Sequence, residues 1–165
     1  MKTQIAFDHF EKATQQKWFT TALLLLRVAL GFIFLYAAYS KFGDWSAAGY
    51  LASASGPFAE FFQSLAGSVF IDQLNIWGQL LIGAALILGI FVRPASFFGA
   101  VMMALYYLAH FEQNTQLGLI DQHIIYILIF VVFMAGGVGH VLGLDGLIQR
   151  NLRKQKVWWS QILFG

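Results

Sequence analysis

The stretch FTTALLLLRVALGFIFLYAAYSKF, Phe19 to Phe42, decides the fold. At about 1.5 Å of rise per residue it is long enough, as a helix, to cross the roughly 30 Å hydrocarbon core of a bilayer. Yet it carries Arg27 within the run and Lys41 at its far end. A cation facing lipid is costly, so each of these must face a protein interior, find a partner or reach an interface. The segment therefore declares both a lipid solvent and a polar interior.

The rest of the chain agrees with that solvent. Of 165 residues, 59% are hydrophobic and 11% charged, against roughly 45–50% and 25% in an ordinary soluble domain. The excess falls in blocks, and the length suits one membrane domain over residues 1–165. Cysteine is missing, which excludes disulfides, thiolate nucleophiles and Cys-ligated clusters. A net charge of +2 is too small to argue for nucleic acid, and the basic residues lie beside apolar segments, where the lipid bilayer is the expected partner. Met1 to Trp18 is polar, and the apolar run after it exceeds a signal-peptide core and lacks a small-residue cleavage site, so it reads as an uncleaved first span.

Four spans are expected: Phe19–Phe42, Ile76–Val92, Ala95–Phe111 and Ile124–Leu142. The second and third are joined only by Arg93-Pro94, which reads as a tight hairpin where proline ends one helix and opens the next. Lys2, Lys12, Lys17, Arg93, Arg150, Arg153, Lys154 and Lys156 all fall on one side. Positive flanks stay cytoplasmic, which predicts a cytoplasmic-membrane protein with both termini inside and an acidic outer face. The outer segment Gly43–Asn75 is too apolar for a solvated linker, and Gly56-Pro57 divides it into two short helical candidates that form a lid over the bundle mouth. A merely interfacial segment accounts for it equally well, and Gly146–Phe164, with Trp158-Trp159, reads as a second interfacial helix.

Arg27 and Lys41 are fourteen positions apart, within about 40° on one helix face and about 21 Å apart in depth. For Arg27 the expected role is structural, in an ion pair with Asp145 or by snorkelling to the inner surface, although Asp145 could instead cap the helix that follows it. Lys41 is either a solvated anchor or a ligand contact. At the outer entrance of span four, Asp121 precedes His123 and Tyr126, which share a helical face. A carboxylate, an imidazole and a phenol so placed could shuttle protons or hold a quinone carbonyl, which makes Asp121, His123 and Tyr126 the catalytic candidates. A capped helix with an interfacial histidine and tyrosine explains the same residues without chemistry. Tyr106 and Tyr107, with Trp77 and Gln79, could line a pocket under the lid, and Lys41, Trp77, Tyr106 and Tyr107 form the candidate cofactor-binding set; aromatic belts and interhelical hydrogen bonds are the bland alternative. His110 and Glu112 end span three on the same side, but no spacing among them and Asp121 or His123 has the specificity of a metal motif, and no metal or haem is expected.

Several segments together resemble the DoxX family of small four-helix membrane proteins: Arg27, Gly31, Phe34-Leu35-Tyr36-Ala37 and Lys41, then Trp45-Ser46-Ala47 and Gly49-Tyr50-Leu51. The resemblance continues through Asn75, Trp77-Gly78, Gly83, Leu88-Gly89, Arg93, Tyr106-Tyr107, the block Asp121 to Tyr126, and Gly143-Leu144-Asp145. It implies a four-helix bundle, and likeness to the DoxD subunit of thiosulfate:quinone oxidoreductase implies electron delivery to quinone within a membrane redox complex. On that reading Lys41 attracts an anionic substrate or semiquinone while His123 and Asp121 move protons, with a redox partner protein and quinone as the implied partners. The alternative is a non-catalytic scaffold or assembly factor that holds partner proteins through its lid and basic tail; self-association into a homo-oligomer is compatible with either.

Overall fold

The computed structural model describes residues 2–116 and 118–153, and the side chains of 15–116 and 118–149. The described chain is helical: α1 (Lys2–Tyr39), α2 (Ala48–Ala52), α3 (Ala59–Ser64), α4 (Val69–Leu88), α5 (Val92–Ala109), α6 (Phe111–Asn114), α7 (Gln122–Ala135) and α8 (Leu144–Arg153), with a 3-10 turn at Val138–His140 between the last two. Three helical segments are long and apolar enough to cross a membrane, Gln15–Tyr39, Val69–Leu88 and Val92–Ala109. Phe32, Leu81, Phe97, Phe98 and Leu128 stand more than half exposed around the bundle. Large apolar side chains spread over several helices in this way suit acyl chains as their neighbours.

The long helices pair as α1 with α4 and α5 with α7, and the hairpin between α4 and α5 joins the pairs. Glycine sets the first contact. A methyl group on Gly83 would stand 2.7 Å from the Leu35 amide nitrogen and 2.8 Å from the Gly31 carbonyl oxygen, so the two backbones touch where neither residue has a side chain. In the second pair Phe130 fills the space above Gly99 and meets Phe34 edge to face, ring centroids 5.5 Å apart. Leu30, Ile82, Leu86, Val92, Met103 and Phe133 complete the apolar core around these rings.

Several expected boundaries move, among them the start of the second span, which lies at Val69 rather than Ile76. The reversal between the second and third spans lies at Gly89–Phe91, with Gly89 and Phe91 both at positive φ (64° and 52°), rather than at Arg93-Pro94. Those two residues sit inside the first turn of α5. The first amides of a helix have no acceptor in the preceding turn, so proline costs little there. The fourth apolar helix stops at Ala135, short of the expected Leu142. Fourteen residues rise only about 21 Å, and the chain then breaks at Gly136-Gly137 into the 3-10 turn.

That break explains Arg27, which is 1% exposed. Its Nη1 donates to the carbonyls of Val138 (2.8 Å) and Val141 (3.0 Å), in the turn where the helix is interrupted, and the Val138 carbonyl also accepts the Val141 amide (3.2 Å). Irregular backbone at membrane depth persists only where the protein satisfies it, and the buried guanidinium does so here. The expected Arg27–Asp145 ion pair is not formed. The Asp145 oxygens instead accept the amides of Phe91 (2.7 Å) and Val92 (3.0 Å), so this carboxylate caps α5 rather than the helix that follows it. Gly89, Gly139 and Gly143 leave the room these two side chains need, since a methyl group on any of them would collide with one or the other. Lys154, Lys156 and Trp158-Trp159, expected in the second interfacial helix, lie outside the described residues.

Candidate functional site: a polar cleft under the lid

At the C-terminal end of α1, beyond Arg27, the segment 43–68 between α1 and α4 folds over the bundle. Leu51, Ala54 and Phe62 of this lid bury against Ala109, and polar bonds fasten it. The Ser55 amide donates to the Ala109 carbonyl (2.9 Å), the Ala47 amide to Asp72 Oδ1 (2.8 Å), and His110 Nε2 to the Tyr50 carbonyl (3.0 Å). The Tyr50 ring lies against that of His110, centroids 4.3 Å apart. His110 is therefore a lid contact.

Beneath the lid is a half-open cavity of about 390 Å³. Lys41, Asn75, Tyr106 and His123 supply its polar wall, and Trp45, Ser46, Ala47 and Tyr50 its lid side. Lys41 stands in the turn after α1, its ammonium 5.0 Å from the Trp45 ring centroid, a cation–π distance. Its Nζ donates to Gln79 Oε1 at 2.6 Å. Burial pushes this amine down to about 8, because a partly desolvated site disfavours the charged form. From α4, Asn75 Nδ2 (2.6 Å) and Gln79 Nε2 (3.1 Å) both donate to the Tyr106 hydroxyl. The Tyr50 hydroxyl donates to the Tyr106 carbonyl (3.3 Å). Burial first, and then the negative charge of Asp121, push the Tyr50 phenol up to about 12.

The start of α7 supplies the remaining wall. Asp121 is its N-cap, with Oδ1 accepting the amides of His123 (3.0 Å) and Ile124 (3.1 Å). Its Oδ2 lies 2.5 Å from His123 Nδ1. Burial alone would push this carboxyl up, but the His123 ring and the Ile124 and His123 amides together hold it below the usual carboxylate range. An ionised carboxylate only accepts, which assigns the proton of the contact to Nδ1 and leaves Nε2 to take or give one. The His123 ring stands edge-on to Tyr106, centroids 6.2 Å apart.

Of the expected site residues, Lys41, Tyr106 and His123 meet in the cleft, with Asp121 behind His123. Three do not. Trp77 is half exposed and points outward, its indole nitrogen on Gln73 Oε1 and its ring edge-on to Phe42. Tyr107 is buried, with its hydroxyl donating to the Leu119 carbonyl. Tyr126 packs against the bundle core instead of lining the cleft. Asn75 and Tyr50 join the site unforeseen as pocket residues. Asn75 and Gln79 are an i, i+4 pair, and that spacing was a signal that both lie on one face while Trp77 lies opposite. No group of three or more His, Cys, Asp and Glu among the described residues could hold a metal ion.

Apolar helices that pack through glycine contacts, with a polar cleft at one end, define a small multi-pass helical membrane protein. The DoxX family profile matches residues 22–112, more than half of the chain, and the protein belongs to the DoxX family. The matched stretch contains Arg27, Lys41, Tyr50, Asn75, Gln79 and Tyr106 and ends before Asp121 and His123. No curated protein and no solved structure matches the chain.

Proposed function

We propose that this DoxX-family protein is the quinone-interacting subunit of a membrane redox complex and binds the quinone headgroup in the cleft under the lid. The observation that carries the reading is the pairing of two walls. One holds the Lys41–Gln79–Tyr106–Asn75 hydrogen-bond network; the other ends in the Asp121–His123 pair, which can take up or release a proton. Reduction of a quinone to a hydroquinone takes two electrons and two protons, so a site for it needs a flat aromatic slot, hydrogen bonds to oxygen and a route for protons. Tyr50, Tyr106 and Trp45 supply the first, the Tyr106 network the second and His123 the third. A sequence without cysteine has no thiolate to hold an iron–sulfur cluster, and the reading assigns the electrons to a partner protein. It places the cleft on the outer side of the cytoplasmic membrane with both termini inside, in keeping with the Lys/Arg bias.

The test is protein purified with its native lipid. Quinone is expected in the extract, added short-chain quinone is expected to raise the melting temperature, and His123→Ala and Lys41→Met are expected to reduce that protection. A preparation with neither retained quinone nor thermal protection contradicts the reading and leaves a scaffold for partner proteins.

A further inference from the structure

Lys41 lines the cleft without a counter-ion. Among the described residues no carboxylate comes within ion-pair distance of its Nζ; the ion pair at the cleft joins Asp121 to His123 instead. A charge held partly away from water and left unpaired is costly. What holds the amine is an amide: Nζ lies 2.6 Å from Gln79 Oε1, on a side chain that is itself buried. A carboxylate in that place would keep the lysine as an ammonium, whereas an amide oxygen also accepts a hydrogen from the neutral amine. The groups that share the cleft with Lys41 add no negative charge of their own. Trp45 presents its ring from the lid, 5.0 Å from Nζ. Tyr50 and Tyr106 bring phenols from the lid and α5, and His123 brings an imidazole from α7 whose charge Asp121 already matches. With the amine pushed down to about 8 by burial, roughly a tenth of it is uncharged at neutral pH, against less than about 0.1% of an ordinary lysine. A desolvated lysine of this kind is a nucleophile.

We infer that Lys41 is a nucleophilic amine that condenses with a small aldehyde admitted to the cleft and holds it as an imine. The nitrogen lone pair bonds to the carbonyl carbon to give a carbinolamine, and the oxygen then leaves as water with both hydrogens of the amine. No electrons change hands, so the step needs neither oxidant nor reductant. The cavity, about 390 Å³ and half-open, is of a size for a small organic molecule, and the Trp45 and Tyr50 rings offer its apolar body a surface to lie on. Gln79 is a positioning residue: it holds the amine in the cleft without holding its proton. The inference goes beyond the quinone reading and does not depend on it, because it concerns attack on a carbonyl carbon rather than a redox couple.

The experiment treats the full-length protein in lipid nanodiscs with pentanal and sodium cyanoborohydride, which reduces each imine to a stable secondary amine, and maps the modified lysines by mass spectrometry. Lys2, Lys12, Lys17, Lys154 and Lys156 are the internal controls. At pH 7 Lys41 is expected to be modified at least about tenfold faster than any of them. Its rate is expected to level off above about pH 8, once the free amine is the major form, while the controls keep rising. Gln79→Glu is nearly isosteric and sets a carboxylate beside the amine. Lys41 is then expected to fall to the rate of the controls although it is still present, because the carboxylate holds it as an ammonium; a lysine that merely packs the cleft would show no such change. Melting curves establish that the variant folds, and the comparison among lysines of the wild type stands without it. Modification of Lys41 no faster than the controls, or a Lys41 rate that Gln79→Glu leaves unchanged, overturns the inference and leaves the quinone reading standing.

Discussion

At Asp121 a single carboxylate both closes the start of a helix and orients a histidine. Its Oδ1 takes two first-turn amides that would otherwise lack acceptors, and its Oδ2 fixes the His123 ring. Asp121→Ala removes all three bonds and is expected to lower stability by about 1 kcal/mol, the usual cost of losing an N-cap. The dependence on pH has a definite sign. The folded value of this carboxyl lies below its ordinary 3.8. Its charge-dependent contribution is therefore fully present above 3.8 and is lost as pH falls through the folded value. Melting curves of wild type and Asp121→Ala should be well separated at neutral pH and converge in acid; a gap that widens in acid contradicts the assignment. At this scale the sequence was informative where neighbours decide the geometry. Asp121 and His123 are two positions apart, and their contact follows from the cap alone. Tyr107 was misplaced because it follows Tyr106 directly and one step along a helix turns a side chain by about 100°, and Trp77 because it lies two steps from both Asn75 and Gln79, on the opposite face.

Helix pairing here depends on backbone contact more than on side-chain volume. Gly83 meets the Leu35 amide and the Gly31 carbonyl of α1, atoms that cannot rotate out of the way. Gly83→Ala should therefore push α1 from α4 and destabilise the bundle by about 1–3 kcal/mol, the range for overpacked sites, read as a lowered melting temperature in nanodiscs. An unchanged melting temperature would show that the helices do not approach as closely as this. The spans themselves were legible as apolar runs of helical length. Their ends were not, because distant residues set them. The reversal at Gly89–Phe91 is stabilised by Asp145, 54 positions from Phe91, and the break after Ala135 by Arg27, 111 positions from Val138. Proline at 94 looked like the turn because proline interrupts helices; within a first turn it does not.

Across the whole molecule, the polar residues divide between the two ends of the bundle. Arg27 and Asp145 hold together the end where α7 breaks and α5 begins, while Lys41, Tyr106 and His123 meet under the lid at the other. The resemblance seen in the sequence ran from Arg27 to Asp145, and the family match, over 22–112, covers its first part. The match includes Lys41, Asn75, Gln79 and Tyr106; the Asp121–His123 wall belongs to the stretch beyond it. The proposed sidedness can be read directly because the sequence has no cysteine. A single cysteine introduced by Asp44→Cys should react with an impermeant maleimide in intact cells, and one introduced by Lys17→Cys should react only after the membrane is opened. The reverse pattern would place the cleft on the cytoplasmic side.

The account turns on whether a quinone headgroup occupies the cleft. The most direct measurement is photo-crosslinking of the protein in native lipid with an azido-substituted short-chain quinone, followed by mapping of the labelled residues. The account predicts label concentrated on the cleft walls, at Trp45, Tyr50, Tyr106 or His123, and displaced by excess unlabelled quinone. Label spread over lipid-facing residues such as Phe32, Leu81 and Phe97, and unaffected by competition, would contradict it.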